Sequence, residues 1–142
     1  CALEAGLLPV VYGDVIFDLQ RGGTILSTED LFAYLARQLR PARILLAGLE
    51  DGVWQDYPAR AHRVEAITLE NYPLIQPVLS GSAATDVTGG MASKVQQSLE
   101  LVREMPGLEI YIFSGEITGA VERALSGEAI GTLIHRGNSS SE

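Results

Sequence analysis

Four short, mostly apolar runs punctuate the chain: Leu7 to Tyr12, Ile44 to Ala47, Glu109 to Phe113 and Ala129 to Ile134. Each is too short for a core helix, and their near-continuous apolar character suits strands buried on both faces of a mainly parallel sheet. Two other segments carry apolar residues at helical spacing. They are Leu31, Leu35 and Leu39 after Ser27 or Thr28, and Met91, Val95, Leu99 and Val102 after Thr88 or Gly89. A third, shorter helix is expected over Ile117 to Leu125, and Pro106-Gly107 is a turn into the strand at Glu109. Strand, helix and strand in that order place the chain in the α/β class.

Smaller features fill the intervals. Cys1 to Gly6 reads as the last turns of a helix stopped by Gly6. Val15 to Phe17 and Thr24 to Leu26 read as a hairpin around a glycine turn, and Asp14 is either a strand-end turn residue or a functional acid. Ser27 or Thr28 caps the helix that ends before Pro41, with Glu29 and Asp30 in its first turn to complement the helix dipole. From Gln55 to Ser80 the prolines predict irregular chain around one short strand, Val64 to Thr68. His62 in that excursion reads as a solvated loop residue, and His135 as structural. The domain is expected to span 1–136, with a frayed tail over 137–142.

Ser80 to Val95, SGSAATDVTGGMASKV, concentrates the features of an anion site. Thr85, Asp86 and Thr88 are helix-capping types, Gly89 and Gly90 admit close approach of a ligand to backbone, and the helix that follows begins with free amides. Those amides and the positive end of the helix dipole favour phosphate, and Lys94, one turn in, leans back toward that end. A Gly-Gly turn before an amphipathic helix with a surface lysine is also ordinary α/β architecture, and the pattern alone does not separate the two readings.

Composition narrows the partners. The chain has 142 residues, a formal net charge of −8 and one cysteine, Cys1. That length is enough for one core, and the acidic balance opposes general nucleic-acid binding while permitting a local nucleotide site. No apolar run approaches the roughly 20 residues needed to span a bilayer, no signal peptide is evident, and no basic amphipathic helix suggests a membrane surface. A single cysteine permits no internal disulfide and no structural zinc site, so a reducing, cytoplasmic setting is expected.

The segment ATDVTGGMASKV resembles the ATDVTGGM-x-x-K-V segment of isopentenyl phosphate kinases in the amino acid kinase superfamily. GLLPVVYGDVIFD is similar to their GL-x-PV-x-HGDV-x-x-D, with Tyr12 at the usual histidine. GLEDGVW resembles the loop A-T-D-V-D-G-V-Y that wraps the nucleoside of ATP: Asp51, Gly52 and Val53 are retained, Gly48 and Leu49 replace Thr-Asp, and Trp54 takes the tyrosine position. Without the resemblance, Asp51-Gly52 is a plain turn and Trp54 a core or rim aromatic. The family's S-G-D-D segment is STED here, so Thr28 stands for the glycine that lies against the acceptor phosphate and Glu29 for the aspartate that orients catalytic lysines. Ser114-Gly115 and Gly131 to Ile134 match its closing S-G-x-x segment and strand.

The resemblance implies a three-layer αβα sandwich. It covers nearly the whole chain but only the carboxyl-terminal part of the family's domain; glycine-rich phosphate loops, a first lysine and a phosphate-contacting histidine belong to an amino-terminal portion absent here. It implies the nucleotide-binding half of a kinase, inactive by itself, using ATP with Mg²⁺ carried on its phosphates and no protein metal site. Lys94 would be catalytic. Gly48, Leu49, Asp51, Trp54, Gly89, Gly90 and Lys94 would bind nucleotide, Gly13 and Thr28 would face a small phosphorylated acceptor, and Glu29 would support them. A homodimer is compatible with it. Another acceptor of the same superfamily, or a nucleotide sensor without transfer, remains open.

Overall fold

A computed structural model describes residues 2–82 and 90–137. It divides into two compact units, Cys1–Leu39 and Arg40–Glu142, which are described in turn.

In the first unit, residues 2–6 form turns, with Gly6 at φ 70 and its N–H donating to the Leu3 carbonyl at 3.0 Å. The buried strand expected over Leu7 to Tyr12 is not formed: the run has no ladder partner among the described residues, and Leu8 and Val10 are 88% and 85% exposed. Apolar continuity supplies the drive to bury a strand, but a strand exists only when a neighbour takes its amides and carbonyls. The hairpin is formed, as β1 (Asp14–Ile16) antiparallel to β2 (Thr24–Leu26). Asp18 folds its turn by accepting from the Gln20 and Arg21 amides at 2.8 and 2.7 Å. Helix α1 (Thr28–Leu39) follows. Ser27 is its cap: the Ser27 hydroxyl accepts from the Asp30 amide at 3.0 Å and donates to the Asp30 carboxylate at 2.7 Å. Arg40 then leaves the helical region at φ 49, and Pro41 prevents continuation.

The second unit is built on a four-stranded sheet. Its strands are β3 (Arg43–Gly48), β6 (Ala66–Ile67), β7 (Glu109–Ser114) and β8 (Thr132–Ile134), in the order β3-β7-β8-β6. β3 and β7 are parallel, as are β6 and β8, and β7 meets β8 antiparallel. A separate two-stranded hairpin pairs β4 (Val53–Trp54) with β5 (Arg63–Val64). The single strand expected over Val64 to Thr68 is thus two, split at Glu65 between the hairpin and the sheet.

Helix α3 (Gly90–Glu104) buries Val95, Leu99 and Val102 of its expected stripe and packs against β7 and β8. On β7, Tyr111 and Phe113 cluster with Ala120 and Ala124 of α4 (Ala120–Leu125). Period-two alternation turns Ile110 and Ile112, both buried, to the other face. Helices on both faces of a mostly parallel sheet give the expected αβα sandwich. The region read as irregular before Ser80 contains a helix, α2 (Tyr72–Ser82). Pro73 lies in its first turn, where a donor is dispensable, and Pro77 removes only one interior hydrogen bond. Thr68 and Asn71 bond reciprocally ahead of it, at 2.8 and 3.2 Å, which sets the entry.

Gly131, at φ 68, enters β8 where a Cβ would overlap the Ile112 carbonyl and lie 2.7 Å from the Phe113 Cβ. No described helix is long and apolar enough to cross a membrane.

Candidate nucleotide and acceptor sites

Topology gathers most of the candidate residues of the second unit on one edge of the sheet. Because β3 and β7 are parallel, Gly48 lies beside Ser114 at their carboxyl ends, and the Gly115 amide donates to the Gly48 carbonyl at 2.8 Å. A short turn reverses the chain between α3 and β7, so the start of α3, with Gly90 and Lys94, is carried to that same edge. β8 runs the other way and begins there, with Thr132 opposite Ile112. The carboxyl edge of parallel strands is where open α/β sheets receive ligands.

The Thr132 hydroxyl joins the β4–β5 hairpin to this edge. It accepts from the Val53 amide at 2.8 Å and donates to the Val64 carbonyl at 2.6 Å, fully buried. Gly52, at φ 132, lets the hairpin come this close, since a Cβ would lie 2.6 Å from the Thr132 oxygen. Thr132→Val keeps the shape but leaves two buried backbone groups unpaired, and is expected to destabilise the unit by about 2 kcal/mol in a urea titration.

Within the hairpin, Asp51 is engaged by Arg63 Nη1 at 2.5 Å, which makes its carboxylate a structural partner of the turn. Asp56 accepts from the Ala61 and His62 amides and from His62 Nδ1 at 3.0 Å, so His62 has a hairpin contact that sequence reading missed. Half-buried Trp54 donates its indole N–H to Glu50 at 3.1 Å. Gly48 has open space where a Cβ would stand, and Leu49 is 77% exposed, so the loop after β3 is accessible. Gly90 opens the described part of α3, and Lys94 is half-buried one turn in. Gly89, with Thr85, Asp86 and Thr88, lies outside the described residues.

Glu50 was not anticipated. Its carboxyl is held below the usual glutamate range, first by the hydrogen bonds from Arg60, with burial opposing and Trp54 adding a smaller effect in the same direction. A depressed carboxyl stabilises the folded form fully above its unfolded pKa and loses that contribution as pH falls through the folded one. The Trp54 indole resonance, assigned with Trp54→Phe, should therefore hold constant around neutral pH and move in acid solution, with a midpoint below that of an ordinary glutamate.

In the first unit, the two acceptor-side candidates are in contact. The Gly13 amide donates to the Thr28 hydroxyl at 3.2 Å, and a Cβ on Gly13 would meet the Leu26 carbonyl at 2.5 Å. Glu29 lies in the first turn of α1.

The described arrangement has counterparts. Residues 2–114 match the model of the Amino acid kinase family. The chain is 35% identical over 135 residues to isopentenyl phosphate kinase of Methanothermobacter thermautotrophicus, covering 93% of this chain and 50% of that protein. It is 28% identical over 141 residues to glutamate 5-kinase of Citrifermentans bemidjiense, with 93% and 35% covered. A solved isopentenyl phosphate kinase superposes with a TM-score of 0.70 at 29% identity over 94% of this chain and 47% of that one. The chain thus spans half or less of the length of these relatives. With the family match running from residue 2 through β7 and the same fold recovered in three dimensions, the chain belongs to the amino acid kinase family.

Proposed function

We propose that this chain supplies the nucleotide-binding half of an ATP-dependent kinase that converts isopentenyl phosphate to its diphosphate. The observation that carries this reading is the convergence on one sheet edge of the open Gly48 loop, the tethered hairpin bearing Trp54, and the start of α3. The likeness to isopentenyl phosphate kinases supports the choice of acceptor.

In this reading MgATP is the substrate, its nucleoside against Gly48, Leu49 and Trp54 and its phosphates at the start of α3. Phosphoryl transfer leaves a protein chiefly the tasks of positioning and of neutralising charge. The amides from Gly89 and Gly90 would orient the phosphates, and the Lys94 ammonium would offset charge between the β- and γ-phosphoryl groups. Thr28, held by the Gly13 amide, would face the acceptor phosphate, with Glu29 beside it on the helix. The rest of the cradle would come from a portion of the enzyme outside this sequence, so the chain alone would bind nucleotide without efficient transfer.

A second acceptor class is favoured by two observations: Thr28 places a hydroxyl where the kinase motif has glycine, and the chain also resembles a glutamate kinase. The test is transfer from labelled ATP by the complete enzyme, offered isopentenyl phosphate, fosfomycin, a nucleoside monophosphate and glutamate in parallel. Transfer to isopentenyl phosphate supports the reading, and transfer only to another acceptor replaces the substrate. MgADP binding with no transfer to any of them makes the domain a sensor.

A further inference from the structure

The loop after β3 contains a device that the kinase motif does not account for. Glu50 stands where A-T-D-V-D-G-V-Y has valine, and its carboxylate holds two side chains at once. Oε2 accepts from Trp54 Nε1 at 3.1 Å and from Arg60 Nε at 2.9 Å, while Oε1 accepts from Arg60 Nη2 at 2.6 Å. The two-pronged guanidinium contact fixes the plane and direction of the carboxylate, which a single bond would not. Arg60 is itself restrained, its guanidinium carbon 5.1 Å from the centre of the Tyr57 ring, and its backbone is at φ 53, a left-handed conformation uncommon for a side-chain-bearing residue. Tyr57, Arg60, Glu50 and Trp54 therefore form a chain of contacts ending on the indole.

We infer that Glu50 is a positioning residue which, braced by Arg60, locks the Trp54 indole as a stacking plate for the nucleobase. The inference rests on the nucleotide reading given above. Holding the indole by its only donor has two effects. It removes rotamer freedom that would otherwise be lost on binding, and it leaves Trp54 the ring face, not a hydrogen bond, with which to recognise a base. The ligand class is thus a nucleotide recognised here by the flat face of its base, and the plate contributes nothing to the triphosphate.

The test compares ATP with inorganic tripolyphosphate, a competitor with the charge but no base, in the complete enzyme and its variants. Glu50→Ala should raise the KM for ATP about tenfold, the scale of one stacked base. The inhibition constant of tripolyphosphate, the KM of the acceptor and kcat should remain within about twofold of their original values. Glu50→Gln, which keeps an acceptor for the indole but loses the charged pairing, should fall between, and the Trp54 indole resonance should shift in the same order. Trp54→Ala separates two failures. If it raises the KM for ATP while Glu50→Ala and Glu50→Gln do not, the positioning role is overturned and the nucleotide site stands. If Trp54→Ala leaves ATP unaffected, the nucleoside reading of this loop and the inference fall together. An equal loss of ATP and tripolyphosphate affinity in Glu50→Ala would also overturn it, as the mark of general loosening.

Discussion

Alanine in place of Lys94 is expected to lower phosphoryl transfer by the complete enzyme about a hundredfold or more, with cooperative unfolding preserved. Lys94 sits one turn inside α3, at the sheet edge that receives Gly48 and Thr132. A helical side chain leans toward the amino end of its helix, so in the proposed site the Lys94 ammonium would add its charge to that of the helix dipole. Loss of one preorganised contact of this kind costs about 3 kcal/mol of barrier. The effect should fall mainly on kcat, because charge at the transferring group matters most in the transition state. Lys94→Arg tests placement against charge, since a planar guanidinium does not reproduce a compact ammonium. Steady-state kinetics decide the matter: a kcat within about threefold of the parent enzyme would remove Lys94 from the mechanism.

The largest effect on stability is expected at Gly131. Its φ of 68 lies in the left-handed region, and a Cβ there would overlap backbone of β7. Gly131→Ala combines conformational strain of about 1 kcal/mol or more with displacement of the central strand, and should destabilise the second unit by about 3 kcal/mol or more. Gly127→Ala is the control for conformation alone, because φ is 100 there and the nearest atom to a Cβ, Arg43 Nη1, is 3.8 Å away, an ordinary van der Waals distance. Urea denaturation of both variants separates the terms. Equal losses would show that overlap with Ile112 contributes nothing.

These two positions mark what sequence reading reaches. The α3 stripe was legible because periodicity is written in adjacent residues, and β3 and β7 were legible as continuous apolar runs. Leu7 to Tyr12 misled for the same reason, since apolar continuity does not supply a ladder partner. Helix α2 was hidden by prolines whose cost depends on their place in a helix. Glu50 was passed over because its value comes from Arg60, brought to it by the path of a hairpin, and no local pattern announces that contact. An acid four residues before a tryptophan was the only signal. Thr132 carried none, since a threonine in a strand is common and only burial against Val53 and Val64 gives its hydroxyl a task.

The Thr132 tether also fixes an order of events. Its two hydrogen bonds join residues 79 and 68 positions apart. Contacts that close such long loops reward the chain only after the intervening entropy has been spent, so the two Thr132 bonds are expected to close late in folding. During synthesis at about 5–20 residues per second, about 4–16 s separate the appearance of Val53 from that of Thr132. Throughout that interval the segment bearing Trp54 lacks the Thr132 anchor, even in a nascent chain that already holds a finished helix α3.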